Sequence, residues 1–458
     1  MFFRQYDLAC LSLYSYLIGD TTTGRAVVVD PQRDVSDYLA DAEANGLRIE
    51  RVIETHFHAD FLSGHLELAE ATGAAISYGD VAEPDFPMEP LAHGQRLSLG
   101  EVELEIRHTP GHTPESISAV VREHPDAEPW AVFTGDALFI GDVGRPDLLA
   151  SVGLSADELA RMLHRSLHEQ LLTLPDDTLV FPAHGAGSAC GRNLSTAVSS
   201  TIGEQRRTNY ALQPMTEDQF VEAVTEGQSV APLYFAFAAD ANRRERELLD
   251  DTEPPKALTV EEALDLQRAG AVLIDTRPPE SFASGHLRGS VNVGLDGRFA
   301  EYAGDVVRPG QQVVVVGDTG RGSEAKIRLA RIGFDDVAGE VSDIEAVLAD
   351  HPDLAESASR LPASEVAEWL ADDPAPQVVD VRNPSEVRLS GMLPGAVNLP
   401  LPQLLDHLDD LDPKAPTIVY CAGGYRSSVA ASTLRANGFD VVADLIGGYG
   451  AWAAVEQN

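Results

Sequence analysis

The run Thr55-His56-Phe57-His58-Ala59-Asp60-Phe61 follows directly on the apolar pair Val52-Ile53, and no other stretch restricts the chain so tightly. A short strand that empties into a loop bearing two imidazoles and a carboxylate aims ligand-type side chains at one point, and metal ions favour such anchored loops. The arrangement recurs downstream: His112 in Thr109-Pro110-Gly111-His112-Thr113, Asp136 after Ala131-Val132-Phe133, and His184 in Phe181-Pro182-Ala183-His184-Gly185. A single histidine is ordinarily a satisfied polar residue. Four histidines and two aspartates in strand-end context make a metal centre the expectation.

In order and punctuation these motifs resemble the metallo-β-lactamase superfamily, whose HxHxDH signature is followed by separate His, Asp and His ligands, over about the first 210 residues. The resemblance implies an αββα sandwich. The chain departs from it at Phe61, where binuclear hydrolases of the family place a His on the second metal. Phenylalanine has no lone pair, so a mononuclear centre is expected. The mononuclear, oxygen-using members of the superfamily are the persulfide dioxygenases. Their likeness carries iron ligation onto His56, His112 and Asp136, the facial triad of two imidazoles and one carboxylate, with one Fe(II) per chain. His58, Asp60 and His184 then orient ligands or exchange protons. Ligand type alone also accommodates zinc or manganese.

The rest of the chain is a duplication. Leu273-Ile274-Asp275-Thr276-Arg277 overlays Val378-Val379-Asp380-Val381-Arg382, a period of about 105 residues. Gly285-His286-Leu287-Arg288-Gly289-Ser290-Val291-Asn292 likewise matches Gly391-Met392-Leu393-Pro394-Gly395-Ala396-Val397-Asn398. Both copies resemble rhodanese domains, small α/β units. Met392 stands where that family's GH motif has histidine, a position that usually packs the fold.

Only the second copy carries a nucleophile. The strand Thr417-Ile418-Val419-Tyr420 runs into Cys421-Ala422-Gly423-Gly424-Tyr425-Arg426-Ser427, with a helical pattern over Val429 to Leu434 behind it. Such a strand, glycine loop and helix start turns backbone N–H groups and a helix dipole toward the sulfur, which favours a thiolate. Four residues separate Cys421 from Arg426, as in sulfurtransferases of the rhodanese superfamily rather than its phosphatases, which have five. Cys421 is therefore expected to carry a persulfide. The first copy has Gly317-Asp318-Thr319-Gly320-Arg321-Gly322 in that place and no cysteine. A structural or docking role is its plain reading, and binding of an anionic sulfur compound the alternative.

The boundaries follow: 1–250 for the metal domain with a helical cap, 256–354 for the cysteine-less copy and 360–458 for the active copy. Glu253-Pro254-Pro255 forms the linker, and Arg243-Arg244-Glu245-Arg246-Glu247 reads as a charged helix before it. Acidic residues number 73 against 33 basic, a formal net charge of −40, which argues against nucleic-acid binding. Cys10, Cys190 and Cys421 form no CxxC pair, consistent with a reducing compartment. The opening residues read as a hairpin, with no membrane span and no cleavage pattern, so a cytoplasmic protein is expected. A homo-oligomer is compatible with the sequence.

Two residues carry paired readings. In a chain so acidic, Arg145 of Gly144-Arg145-Pro146-Asp147 serves either to capture anionic substrate or as a structural ion pair. Cys190, in the glycine-rich stretch after His184, either relays a persulfide or fills a tight turn. Together the modules suggest oxidation of a low-molecular-weight thiol persulfide (glutathione, cysteine, coenzyme A or similar) by O2 to sulfite, with Cys421 transferring sulfane sulfur to give thiosulfate. The reverse flux uses the same residues. The rival is a thioester hydrolase resembling glyoxalase II fused to a sulfurtransferase, against which Phe61 weighs.

Overall fold

The computed structural model describes residues 1–148, 153–192 and 194–456. Two compact units emerge: Met1–Gln228 with Phe235–Leu249, and Ser229–Tyr234 with Asp250–Asn458. Within the expected cap, the segment Ser229–Tyr234 groups with the second unit.

In the first unit, five strands run in the spatial order Phe2–Leu8, Leu13–Asp20, Arg25–Val29, Arg48–Ile53 and Ala75–Ser77. Six more form a second sheet, in the order Ser200–Thr201, Leu179–Pro182, Ala131–Gly135, Ile117–Arg122, Glu103–His108 and Arg96–Ser98. Period-two alternation assigns the faces. Tyr16, Ile18, Val27 and Val29 meet Leu104, Ile106, Ala119 and Phe133 between the sheets. The intervening Leu17 and Val28, with Val52, pack outward on Tyr38, Ala42 and Leu68 of the helices Ser36–Ala44 and His65–Thr72. On the other side Val120, Val132 and Val180 pack on Ala160 and Leu163 of the helix Ala156–Ser166. Helices cover both outer faces, an αββα sandwich. The strands Arg48–Ile53, Glu103–His108, Ala131–Gly135 and Leu179–Pro182 end just before His56, His112, Asp136 and His184 respectively, so the strand-end reading of these residues holds.

The second unit holds two parallel sheets. The first copy orders Val291–Asn292, Val272–Asp275, Val313–Val316 and Val337–Val341; the second orders Ser359–Leu361, Val442–Leu445, Thr417–Tyr420, Gln377–Asp380 and Ala396–Asn398. Central strands such as Val313–Val316 are buried along their whole length, which explains their unbroken valine run. The copies meet where Ala355–Glu356 pairs antiparallel with His286–Leu287, after which Ser359–Leu361 joins the second sheet. Asn292 joins them laterally: its Nδ2 donates to the carbonyls of Asp275 at 3.2 Å and Arg277 at 2.8 Å, and its Oδ1 accepts from Ser428 Oγ at 2.7 Å. Gln457 and Asn458, the end of the expected third domain, lie outside the described residues.

One expectation is corrected. Residues 243–247 form no helix; the helix Phe235–Ala241 stops before them. Arg246 instead reaches back to Glu67, with contacts of 2.6 and 3.0 Å, and Arg33 pairs with the same carboxylate at 3.0 Å. Leu249 N adds a bond of 3.2 Å to Glu67. A carboxylate buried with two guanidiniums requires such close pairing to offset its lost hydration. Among the described residues no helix is long and apolar enough to cross a membrane.

Candidate metal centre and sulfur loop

Three imidazoles converge on Asp136. Thr55 Oγ1 donates to Asp30 at 2.8 Å and so accepts from His56 Nδ1 at 3.0 Å. His112 Nδ1 donates to the carbonyl of Arg145 at 2.8 Å, and His184 Nδ1 to that of Ser12 at 3.2 Å. Each bond fixes the tautomer that leaves a lone pair on Nε2. Those Nε2 atoms lie 3.8 Å (His56) and 3.4 Å (His112) from Asp136 Oδ2, and 3.4 Å (His184) from its Oδ1. His56, His112 and Asp136 are all buried, with ligand atoms mutually within 4.8 Å. The Nε2 atoms of His56 and His184 and both Asp136 oxygens find no hydrogen-bond partner. Orphaned buried polar atoms cost about 1–3 kcal/mol each, and a divalent cation satisfies them together. The donor set therefore fits a metal.

A second group, His58, Asp60 and His184, is equally compact. Phe61, 1 % exposed, lies with its ring centroid 4.4 Å from that of His58. His58 Nε2 faces Asp30 Oδ1 at 3.1 Å and Glu54 Oε2 at 3.6 Å. Burial alone would depress this imidazole, yet Asp30, Glu54 and Asp60 push it up to about 9. Burial and then the neighbouring imidazoles hold His56 well below its usual range, in the neutral form a ligand requires. Burial raises the Asp60 carboxyl, opposed by His184.

The Cys190 thiol is 1 % exposed and lies within 4.8 Å of the ligand atoms of Asp136 and His184; burial, then Asp60 and Asp136, push it well up. The Arg145 guanidinium is 3 % exposed and bidentate on Asp147, both bonds 2.7 Å. Its peptide carbonyl is what touches the centre, through His112.

Asn242, wholly buried, was not apparent from sequence. Its Nδ2 donates to the carbonyls of His58 and Phe61, both at 2.8 Å, and its Oδ1 accepts from Ser63 N at 2.9 Å. The chain thus returns some 180 residues later to clamp the motif loop, and a lone Asn carries no sequence signal for it.

In the second unit Cys421, 2 % exposed, stands where the strand Thr417–Tyr420 ends and the helix Tyr425–Ala436 is about to begin. Gly424 N donates to Sγ at 3.1 Å, and Ser427 Oγ lies 3.7 Å away. Gly424 takes φ +100°, which turns its N–H inward. Arg426 is held bidentate by Glu386, both bonds 2.7 Å. Beneath the loop, Tyr449 N donates to Cys421 O at 2.7 Å, and a Cβ on Gly448 would strike that same carbonyl. Gly448 is a second residue that the sequence did not single out.

Register makes the copies comparable: Asp275 pairs with Val316 as Asp380 pairs with Tyr420. Gly317 therefore corresponds to Cys421 and Gly322 to Arg426. A Cβ at Gly317 would strike Thr276 Oγ1, and one at Gly322 would strike a Glu340 carboxylate oxygen. Side chains of this chain fill both places.

Facing sheets with a histidine and aspartate cluster at their strand ends define a metal-binding α/β enzyme class. The metallo-beta-lactamase superfamily model matches residues 9–184, and the rhodanese-like domain model matches 259–340 and 362–455. "Persulfide dioxygenase ETHE1, mitochondrial" of Bos taurus is 32% identical over 235 residues, 50% of this chain and 83% of the relative. A hydroxyacylglutathione hydrolase of Polaromonas sp. is 37% identical over 177 residues, 37% of this chain and 61% of that protein. A solved metallo-beta-lactamase structure from Staphylococcus aureus subsp. aureus COL superposes with TM-score 0.67 at 34% identity, covering 74% of this chain and 98% of that one. The chain belongs to the metallo-beta-lactamase superfamily as a homologue of ETHE1, and carries two rhodanese-like domains behind that module.

Proposed function

We propose that the chain oxidises a low-molecular-weight thiol persulfide with O2 and couples this to sulfur transfer through Cys421. The supporting observation is the buried set His56, His112 and Asp136 on the same chain as a cysteine in an N–H-lined loop. One Fe(II) in that triad would supply open coordination positions and the redox capacity for oxygenation. Thr55, Arg145 and Ser12 hold the imidazoles of His56, His112 and His184 in the ligating tautomer. His58, between carboxylates and raised to about 9, holds a proton near the centre.

The overall reaction is R-SSH + O2 + H2O → R-SH + sulfite + 2 H⁺. At the second site the Cys421 thiolate attacks the outer sulfur of a persulfide, releasing R-S⁻; sulfite then takes that sulfur, giving thiosulfate and restoring the thiolate. Gly424 N–H and the start of the helix Tyr425–Ala436 steady the negative sulfur. Carriage on one chain raises the local concentration of sulfite at Cys421.

Asp136 → Ala is expected to abolish oxygen uptake while sparing thiosulfate sulfur transfer, and Cys421 → Ser to do the reverse. Joint loss of both activities in folded single variants contradicts the two-site reading. A second reading, thioester hydrolysis, draws on Asp136 facing both donor groups and on the similarity to a hydroxyacylglutathione hydrolase. Phe61 beside His58 disfavours it.

A further inference from the structure

The cysteine-less copy retains a cleft of about 360 Å³ at the loop that corresponds to the sulfur loop. That volume lies in the range of small-molecule sites, roughly 300–1,000 Å³. Covalent sulfur chemistry is blocked there, because the Cβ direction at Gly317 is occupied by Thr276 Oγ1. Non-covalent binding is not. Its lining includes apolar surface from Pro278, Leu295 and the ring of Tyr425. The same lining carries charge: Asp296, Asp318 and Arg321.

Two carboxylates and one guanidinium leave the cleft net negative, and the whole chain carries −40. Thiosulfate, sulfite or a phosphate-bearing carrier would be repelled. An ammonium group satisfies Asp318, and a carboxylate satisfies Arg321. Arg321 meets Asp296 Oδ1 through Nη2 at 3.4 Å and Glu324 Oε2 through Nε at 3.1 Å, and the three side chains are 43%, 89% and 46% exposed. Each such pair is worth about 0–1 kcal/mol and exchanges easily for a ligand. The complementary solute is a zwitterionic α-amino acid headgroup with a short apolar or sulfur-bearing side chain.

Tyr425 makes the position consequential. It lies within the Cys421–Arg426 loop, yet its hydroxyl donates to Gly294 O of the first copy and its ring centroid lies 5.3 Å from that of Tyr302. A solute in the cleft touches a residue of the sulfur loop. We propose that the cysteine-less copy is a non-covalent site for a small amino-acid-type thiol or its thioether, the carrier half of the persulfide; the carrier role rests on the proposed function, whereas binding itself does not.

The test is a ligand-observed NMR titration of the full chain with S-methylcysteine, which cannot form a persulfide, alongside N-acetyl-S-methylcysteine and thiosulfate. The inference predicts saturable binding of S-methylcysteine, unchanged in Cys421 → Ser. Asp318 → Asn should weaken it about tenfold, as expected for loss of one charge-assisted hydrogen bond. The N-acetylated probe should weaken similarly, and thiosulfate should not compete. No binding, equal binding of the N-acetylated probe, or insensitivity to Asp318 → Asn overturns it. Oxygen uptake and sulfur transfer measured on the same preparation separate the two readings: intact activities without binding remove only this inference, and binding without either activity removes only the proposed function.

Discussion

Asn242 holds His58 by its backbone: the carboxamide donates to the His58 carbonyl at 2.8 Å while also accepting from Ser63 N at 2.9 Å. The motif loop between the strand Arg48–Ile53 and the helix His65–Thr72 is thereby fixed from the turn that follows the helix Phe235–Ala241. Groups that position metal ligands typically alter affinity by about 10–100-fold when removed.

Asn242 → Ala should therefore lower metal affinity by about that factor and leave the His58 and Phe61 carbonyls buried without their partner. Competition with a metal chelator measures the first effect, and thermal unfolding with and without metal the second. Unchanged affinity would show that the loop holds itself.

Phe61 bears on stoichiometry. Phe61 → His restores a donor beside Asp60 and His58, and bound metal should rise from one towards two per chain, with oxygen uptake falling. Elemental analysis after desalting reads this directly. Two metals in the unaltered chain would contradict the mononuclear proposal.

Gly317 tests the steric block in the first copy. Gly317 → Cys should yield no sulfane sulfur, because its Cβ meets Thr276 Oγ1, and it should destabilise the chain by about 1–3 kcal/mol as overpacking does. Cyanide-releasable sulfur after thiosulfate treatment of the Gly317 → Cys, Cys421 → Ser double variant is the measurement. Labelling there would refute the steric account.

His286 supplies a pH dependence. Burial pushes its imidazole down to about 4 from 6.5, with Nδ1 donating to the Phe282 carbonyl at 2.9 Å. The unfolded chain takes up a proton that the folded chain resists between those values, so stability is lost as pH falls from about 6.5 to 4, by about 3 kcal/mol in all. His286 → Gln should flatten that part of the denaturation-versus-pH curve, whatever it does to stability at pH 7. Equal slopes would contradict it.

Much of this was legible because the informative residues sit where strands end. His56, Asp136 and His184 each follow an apolar run, His112 stands in a Thr-Pro-Gly-His turn, and the duplicated Asp-x-Arg strand ends made the two copies visible. Residues whose role depends on distant chain were not. Asn242 and Gly448 act through backbone approaches that leave no local pattern. Arg243 to Glu247 has helical composition, but the pairing of Arg246 with buried Glu67 overrode local propensity. Arg145 left capture of an anionic substrate and a structural ion pair both open in the sequence; its guanidinium pairs with Asp147, and its carbonyl accepts from His112.

The central claim is tested most directly by oxygen uptake of anaerobically Fe(II)-loaded protein on addition of glutathione persulfide, with sulfite and thiosulfate quantified in the same sample. Rapid uptake that requires both iron and persulfide, with thiosulfate formed only while Cys421 is intact, is the predicted result. No uptake with any of the glutathione, cysteine or coenzyme A persulfides, alongside hydrolysis of an acyl-glutathione thioester, would contradict it.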